Sequence, residues 1–109
     1  MASLTLERSY GLVDHMKALE VLHIKELLQD GAIIEMVIWQ LPESGKGGGH
    51  GIKYRLYFGR AGERLVGYDN ERGKGDHRHI AGEEQSYRFV SVRQLVADFL
   101  ADVRAARGE

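Results

Sequence analysis

The pattern that decides the fold class is Ile-Lys-Tyr-Arg-Leu-Tyr-Phe, residues 52–58, in which apolar and polar side chains alternate. Successive side chains of a β-strand point to opposite faces of the sheet, so this period of two predicts a strand with one buried face. The buried stripe is predicted to hold Ile52, Tyr54, Leu56 and Phe58, and the other face Lys53, Arg55 and Tyr57. A basic, aromatic outer face fits nucleic-acid contacts, and it is equally typical of any exposed sheet face.

Glycines on both sides of this strand predict its connections. The loop over residues 59–62, Gly-Arg-Ala-Gly, has the glycines that a tight turn needs, and residues 65–68 continue as a returning strand. Before the strand, residues 43–51 contain five glycines and are predicted to form a flexible connector. This stretch is not a phosphate-binding P-loop, because a strand follows it and no Ser or Thr follows its lysine.

An upstream Asp-Gly pair predicts a first hairpin. Asp30 and Gly31 lie between two apolar pairs, a strong pattern for a β-hairpin turn. We therefore predict a strand over residues 33–41, ended by Pro42, and a preceding strand over residues 20–29. The apolar spacing of the earlier segment also fits a helix, but pairing across the turn favours a strand.

Residues 91–106 predict a C-terminal helix. Ser91 is a good N-cap and Gln94 follows three positions later, which predicts a capping box. Val90 and Leu95 are spaced to form a hydrophobic staple across it.

The two sides of this helix differ in polarity. The apolar face is predicted to hold Val92, Leu95, Val96, Phe99, Leu100 and Val103. The opposite face, expected to meet water, holds Arg93, Asp98, Asp102 and Arg104. Gly108 is expected to end the helix.

Together these elements predict an α+β fold, an antiparallel sheet of four or more strands with the C-terminal helix packed on one face. A chain of 109 residues fits one domain, residues 1–109, since two cores of half this size would be too small to fold unaided. The sequence of residues 1–17 assigns them to no element.

Composition excludes several classes of protein. There is no cysteine, so a disulfide framework and a thiolate metal site are both excluded. No apolar run approaches the roughly 20 residues of a membrane span, and no signal-peptide pattern is present, so we expect a cytoplasmic protein with no membrane partner. The net charge of −1 gives no general case for nucleic acid. Residues 53–93, however, carry nine basic and six acidic side chains, a local excess that favours a phosphate ligand or simply forms a solvated surface.

Residues 68–80, the polar segment, are unlike the rest of the chain. They read Tyr-Asp-Asn-Glu-Arg-Gly-Lys-Gly-Asp-His-Arg-His-Ile. If this segment is extended, His77 and His79 project from one face while Arg78 points away.

These residue types suit RNA cleavage without a metal. The reaction needs a base for the 2′-hydroxyl, an acid for the leaving 5′-oxygen and a cation for the phosphorane. His77 and His79 can form the acid–base pair, because an unperturbed imidazole has a pKa of roughly 6.5. The predicted phosphate and RNA contacts are Lys74, Arg78, Arg72, Lys53 and Arg55, and the predicted orienting carboxylates are Asp69 and Asp76.

Other interpretations of these residues remain open. His77 and His79 with His50 and a carboxylate resemble a metal-binding set, although the spacing fixes no third ligand. The polar segment also fits plain turn chemistry, with histidines that form only local hydrogen bonds. Glu83 and Glu84 are more typical of solvated turn residues than of catalytic ones. Trp39 is predicted to be a core residue or an anchor on the sheet face.

At the polar segment the chain resembles the TumE-type toxin family. The resemblance runs through residues 31–42, 53–56, 66–70 and 73–79, continues through 87–89 into the last helix, and covers about residues 19–103. Its specific part is the Asp-Asn…Gly-Lys-Gly-Asp-His…His string. The long glycine loop and the extended N-terminus depart from the family pattern.

This resemblance implies a small toxin of a toxin–antitoxin module, encoded beside a helix-turn-helix antitoxin and acting through RNA. We therefore predict a metal-independent endoribonuclease without a cofactor, whose partners are RNA, the antitoxin and a second copy of the chain. The alternative is a non-enzymatic binding module whose polar segment contacts the antitoxin or a second copy. A third hypothesis is a metal-dependent nuclease that uses the same histidines.

Overall fold

A computed structural model describes residues 18–42, 49–71 and 74–109. The strands and the helix in these ranges are β1 Leu19–Leu27, β2 Ile33–Gln40, β3 Ile52–Arg60, β4 Glu63–Glu71, β5 Gly75–Ile80, β6 Glu83–Ser86 and α1 Val92–Ala106. The strands pair antiparallel in chain order, and α1 packs against β4 and β3. The predicted α+β class is confirmed. In the described ranges, no helix has the length and apolar character needed to cross a bilayer.

The Asp-Gly hairpin forms as predicted. β1 and β2 pair from Leu27 opposite Ile33 onward, which confirms that the segment before the turn is a strand. Within the turn, an Asp30 carboxylate oxygen accepts a hydrogen bond from Ala32 N at 3.0 Å. Gly31 has a φ of 87°, a left-handed conformation that glycine adopts without steric cost.

Two other hairpins turn within two residues. β3 extends through Arg60, so the predicted loop over residues 59–62 was too wide and the turn consists of Ala61 and Gly62. Both turn residues have positive φ, and an Ala-Gly pair makes the same turn between β5 and β6. Two consecutive left-handed residues are typical of a type I′ turn, whose twist matches that of the strands it joins. The turn assignment for Glu83 and Glu84 was wrong, because the short second turn leaves both residues in β6.

The sheet has two faces of different character. The face under α1 carries the core, which holds Ala32, Met36, Ile38, Tyr54, Leu56, Phe58, Val66, Tyr68, Leu95, Phe99 and Val103. The opposite side, termed the far face, carries the alternate strand residues, among them Lys53, Arg55, Tyr57, Gly67, Asp69, His77 and His79. The predicted division of β3 into an apolar stripe and a basic, aromatic stripe is confirmed. Trp39 on β2 is 3% exposed, as expected of a buried anchor.

The helix is capped at both ends. Ser91 Oγ accepts a hydrogen bond from Gln94 N at 3.1 Å, which confirms the N-cap. The Gln94 side chain binds Asp98 instead of returning to the cap, so only half of the predicted capping box forms. Val90 is 66% exposed and does not make the predicted staple. At the other end Gly108 has a φ of 79°, and Glu109 N donates to Arg104 O, which is the Schellman pattern.

The predicted solvent exposure of the polar helix face was also wrong in part. Asp98 and Asp102 were expected to meet water, but both are half-buried and bind tyrosine hydroxyls. Tyr87 Oη donates to Asp98 Oδ2 at 2.6 Å, and Tyr68 Oη donates to Asp102 Oδ2. The helix is thus held by polar contacts along the edge of its apolar face as well as by the core.

Candidate functional site

Strand β5 divides the polar segment between the two faces of the sheet. Asp76 and Arg78 point to the helix side, whereas His77 and His79 point to the far face. The predicted same-side placement of the two imidazoles, with Arg78 turned away, is therefore what the structure shows. Consequently, the residues predicted from sequence to share one site fall into two separate groups.

On the helix side, Arg78 is engaged by other protein groups. Its Nη1 lies 3.2 Å from Tyr68 Oη and 3.2 Å from Asp102 Oδ2, and its Nε donates to Gln85 Oε1 at 3.1 Å. Burial, reinforced by the hydrogen bond to Asp102, raises the pKa of Tyr68 well above its ordinary value. These contacts join β5, β4, β6 and α1 into one polar cluster.

Asp76 is also committed to contacts on the helix side. Its Oδ2 accepts from Tyr54 Oη at 2.7 Å and lies 2.9 Å from His50 Nε2. His50 Nδ1 accepts from Ile52 N at 3.1 Å, so Nε2 carries the proton that is donated to Asp76. The His50 ring stacks on Phe89 at a centroid distance of 4.0 Å. Burial, with the hydrogen bond to Asp76 second, raises the pKa of Tyr54 far above its ordinary value.

This placement of His50 bears on the hypothesis of a metal site. His50 contacts Asp76 on the helix side, while His77 and His79 lie on the far face. Among residues 18–42, 49–71 and 74–109, no three His, Cys, Asp or Glu side chains converge as ligands for a metal ion. The ligand set considered from the sequence is therefore not brought together.

Asn70 keeps the sheet closed beside the site. Backbone pairing of β3 with β4 stops at Arg55 opposite Asp69. Beyond that pair, the Asn70 side chain accepts from Tyr54 N at 3.0 Å and donates to Ile52 O at 2.8 Å. One amide group thus replaces two backbone bonds of a continued strand.

The far face places a carboxylate between a cation and an imidazole. Arg55, Asp69 and His77 occupy directly opposed positions on β3, β4 and β5. Neighbouring strands are about 4.8 Å apart, so the three side chains project from the same patch of sheet. In the next row, Tyr57, Gly67 and His79 are opposed in the same way.

His77 is held by two acceptors. Its Nε2 lies 2.6 Å from Lys74 O, and its Nδ1 lies 3.0 Å from Glu84 Oε2. A neutral imidazole can donate only one of these hydrogen bonds, whereas the protonated ring donates both. No role for Glu84 at this site was predicted from the sequence. The Ala-Gly pair between β5 and β6 could have indicated this contact, because a two-residue turn places Glu84 opposite His79.

A shallow cleft of about 200 Å³ opens on the far face beside this row. Its lining consists of Arg55, Leu56, Tyr57, Arg64, Gly67, Tyr68 and Asp69. Gly67 forms the floor, and the Arg64 side chain lies over it, since a Cβ built on Gly67 would be 2.7 Å from Arg64 Cδ. No role for Arg64 or Gly67 was predicted from the sequence. Arg64 reaches this side through a register shift next to Gly59, which no local pattern reveals.

Several charged side chains at the cleft form no hydrogen bond or ion pair with the described part of the chain. Arg55 and Asp69 are opposed on neighbouring strands but form no ion pair. Arg64 and His79 likewise make no hydrogen bond or ion pair with any described residue. Uncommitted charged groups grouped at a cleft are available to a ligand. Arg72, another predicted phosphate contact, lies outside the described residues, as do residues 1–17 and 43–48.

Comparison with known families gives a match over most of the chain. The model of the family described as Toxin TumE matches residues 5–107. No curated protein and no solved structure matches the chain.

Proposed function

The chain belongs to the TumE toxin family and is thus the toxin component of a toxin–antitoxin module, and from this premise we propose that it cleaves RNA on the far face of its sheet. His77 and His79 form the acid–base pair. Arg55, Lys53 and Lys74 contact the phosphate backbone, and Asp69 helps to position the imidazoles. The site requires no metal or other cofactor.

The observation that carries the proposal is the placement of both imidazoles on one face of β5. Residues two apart on a strand are about 6.6 Å apart along it. In RNA cleavage the 2′-oxygen attacks phosphorus as the 5′-oxygen leaves from the opposite side. Two imidazoles at this spacing can flank such a phosphate, one taking the 2′-hydroxyl proton and the other protonating the 5′-oxygen. The products are a 2′,3′-cyclic phosphate and a free 5′-hydroxyl.

The contacts of the two rings support different roles. Each nitrogen of His77 faces an acceptor, which is the geometry of a ring that donates hydrogen bonds, and we assign His77 the role of acid. His79 has no partner among the described residues and is the candidate base. Arg55 lies in the same row as His77, where it can offset the negative charge of the phosphorane.

The contacts on the helix side reduce the number of predicted residues that we assign to the proposed reaction. Arg78 binds Asp102 and Asp76 binds Tyr54, so we assign neither a direct role in the proposed chemistry. Arg72 stays a candidate phosphate contact. The helix-turn-helix antitoxin, a second copy of the chain and the cytoplasmic location also belong to the proposal.

The test is degradation of RNA by purified protein in the presence of a chelator. We expect wild-type protein to cleave, and His77→Ala and His79→Ala each to lose about 100-fold or more in rate. His23→Ala is the matched control, because His23 lies on the far face in the same row as His77 but at the far edge of the sheet. Cleavage that survives in both histidine variants, shown to be folded by circular dichroism, refutes the mechanism. A 2′-deoxy nucleotide at the cut site must block cleavage.

One observation favours the non-enzymatic alternative. The two acceptors that hold His77 are also what a purely structural histidine would have. In that case the far face is a binding surface for the antitoxin or a second copy. His79→Ala and Arg55→Ala would then weaken antitoxin binding, and purified wild-type protein would leave RNA intact.

A further inference from the structure

We propose that the cleft over Gly67 is a nucleobase subsite that selects guanine. This inference rests on the proposed RNA cleavage for its biological meaning, but the binding it describes can be measured without any cleavage. It assigns roles to Arg64, Gly67 and Tyr57, to which the mechanism above gives none.

The size of the cleft suits one base. Its volume of about 200 Å³ lies below the roughly 300–1,000 Å³ of sites for drug-sized ligands. The floor is the Gly67 backbone covered by the Arg64 side chain, whose Cδ would lie 2.7 Å from a Cβ on Gly67, and the side chains of Leu56 and Tyr68 are buried in the core below. Tyr57 supplies an aromatic ring at the wall against which a planar base can pack.

The polar groups of the cleft match guanine in particular. Asp69 can accept two hydrogen bonds and Arg64 can donate two, and neither is engaged by a described residue. Guanine has adjacent donors at N1 and N2, which match a carboxylate, and adjacent acceptors at O6 and N7, which match a guanidinium. No other RNA base presents both pairs. Adenine lacks the paired donors, uracil has a single ring donor, and cytosine offers one amino group to the carboxylate.

The cleft also lies at the right place for a cleaved nucleotide. Gly67 is opposed to His79 on the neighbouring strand, and Asp69 is opposed to His77. A base held between Arg64 and Asp69 therefore brings its ribose and phosphate next to the two imidazoles. Arg55, at the edge of the same cleft, is placed to bind that phosphate. The cleaved bond is then expected to adjoin a guanosine.

The test is calorimetric titration of purified protein with each of the four nucleoside 3′-monophosphates. We expect the guanosine nucleotide to bind at least about tenfold more tightly than the other three. Asp69→Asn should abolish most of this preference, because an amide cannot accept from both N1 and N2. Gly67→Val should weaken binding of all four nucleotides, because the added side chain would displace Arg64 into the cleft. His23→Ala, on the same face but outside the cleft, should bind as wild type does.

The outcomes separate this inference from the proposed function. Equal affinity for the four nucleotides overturns the inference, as does a guanine preference that persists in Asp69→Asn. Cleavage of RNA without preference for guanosine also overturns it, while leaving the ribonuclease proposal intact. Selective binding of the guanosine nucleotide by a protein that never cleaves RNA supports the subsite and overturns the ribonuclease.

Discussion

Arg78 Nη1 lies 3.2 Å from Asp102 Oδ2, and this ion pair joins the middle of β5 to the last half of α1. The Tyr68 hydroxyl donates to the same carboxylate, so three elements meet at one oxygen. Arg78 of the polar segment thus contributes to the fold, on the side of the sheet opposite the imidazoles.

Replacing this arginine should affect stability more than activity. We expect Arg78→Met to lower the free energy of unfolding by about 1–3 kcal/mol, because it removes a partner of the half-buried Asp102 carboxylate. The control is Arg88→Met, an exposed arginine whose loss should change stability by less than about 0.5 kcal/mol. Urea unfolding measures both. Unchanged stability together with lost RNA cleavage would instead place Arg78 at the substrate.

Alkaline pH should destabilise the protein through its buried phenols. Burial comes first, and hydrogen bonds to carboxylates second, among the causes that raise the pKa of Tyr54, Tyr68 and Tyr87 above the ordinary value. The unfolded chain loses these protons near pH 10, whereas the folded protein keeps them, so stability is full below about pH 10 and falls above it. Urea unfolding at several pH values from 8 to about 11 tests this. Tyr54→Phe should flatten the decline, and an equal slope in that variant would contradict the assignment.

The amide of Asn70 allows a matched exchange with its neighbour. Asn70→Asp should cost about 1–3 kcal/mol, because a carboxylate cannot donate to Ile52 O and its charge faces that carbonyl. Asp69→Asn, one position earlier, should change stability by less than about 0.5 kcal/mol, since Asp69 makes no hydrogen bond to a described residue. Thermal unfolding of the two variants measures both changes in stability. Similar losses in both would show that Asp69 also supports the fold.

Much of this fold is visible in local sequence patterns. The period of two in residues 52–58 and the helical period in residues 91–106 each identify an element, because burial of one face imposes that spacing. The same-side placement of His77 and His79 also follows from strand alternation. Local patterns do not give the register in which the strands pair, and it is this register that places Asp69 opposite His77.

The contacts that were not predicted from the sequence also depend on how distant segments pair. Asp98 and Asp102 lie at polar positions of an amphipathic helix, and water is the default partner for such residues. Their actual partners, the hydroxyls of Tyr87 and Tyr68, come from segments distant in sequence. Arg64 joins the cleft through an irregularity in strand pairing, which depends on the whole sheet.

Two glycines of the far face should differ in their tolerance of alanine. A Cβ on Gly59 would lie 2.5 Å from the Glu63 carbonyl oxygen, so the backbone itself must shift. We expect Gly59→Ala to cost about 1–3 kcal/mol. The three heavy atoms nearest to a Cβ on Gly67 all belong to the flexible Arg64 side chain, and Gly67→Ala should cost less than about 1 kcal/mol. Chemical unfolding compares the two, and equal costs would mean that Arg64 is rigidly held.

Glu84 should tune the proposed cleavage without being essential to it. Its side chain is 55% exposed where it meets His77, and exposed ion pairs contribute about 0.2–1 kcal/mol. Glu84→Gln should therefore slow RNA cleavage by no more than about fivefold, with the fold intact. Gln85→Glu, which adds a charge to the helix side of β6 instead, is the control for a general effect of charge. A loss in Glu84→Gln as large as that of His77→Ala would make Glu84 a participant in the reaction.

The alternation of β5 also has a consequence for how TumE-family sequences diverge. The side chains at positions 76 and 78 contact Tyr54 and Asp102 on the helix side, whereas those at positions 77 and 79 have different neighbours on the far face. Adjacent residues of one short strand should thus drift independently, while residues distant in sequence change together. Across related toxins, Arg78 and Asp102 are expected to be exchanged as a pair, whereas His77 and His79 are expected to change with the proposed RNA substrate.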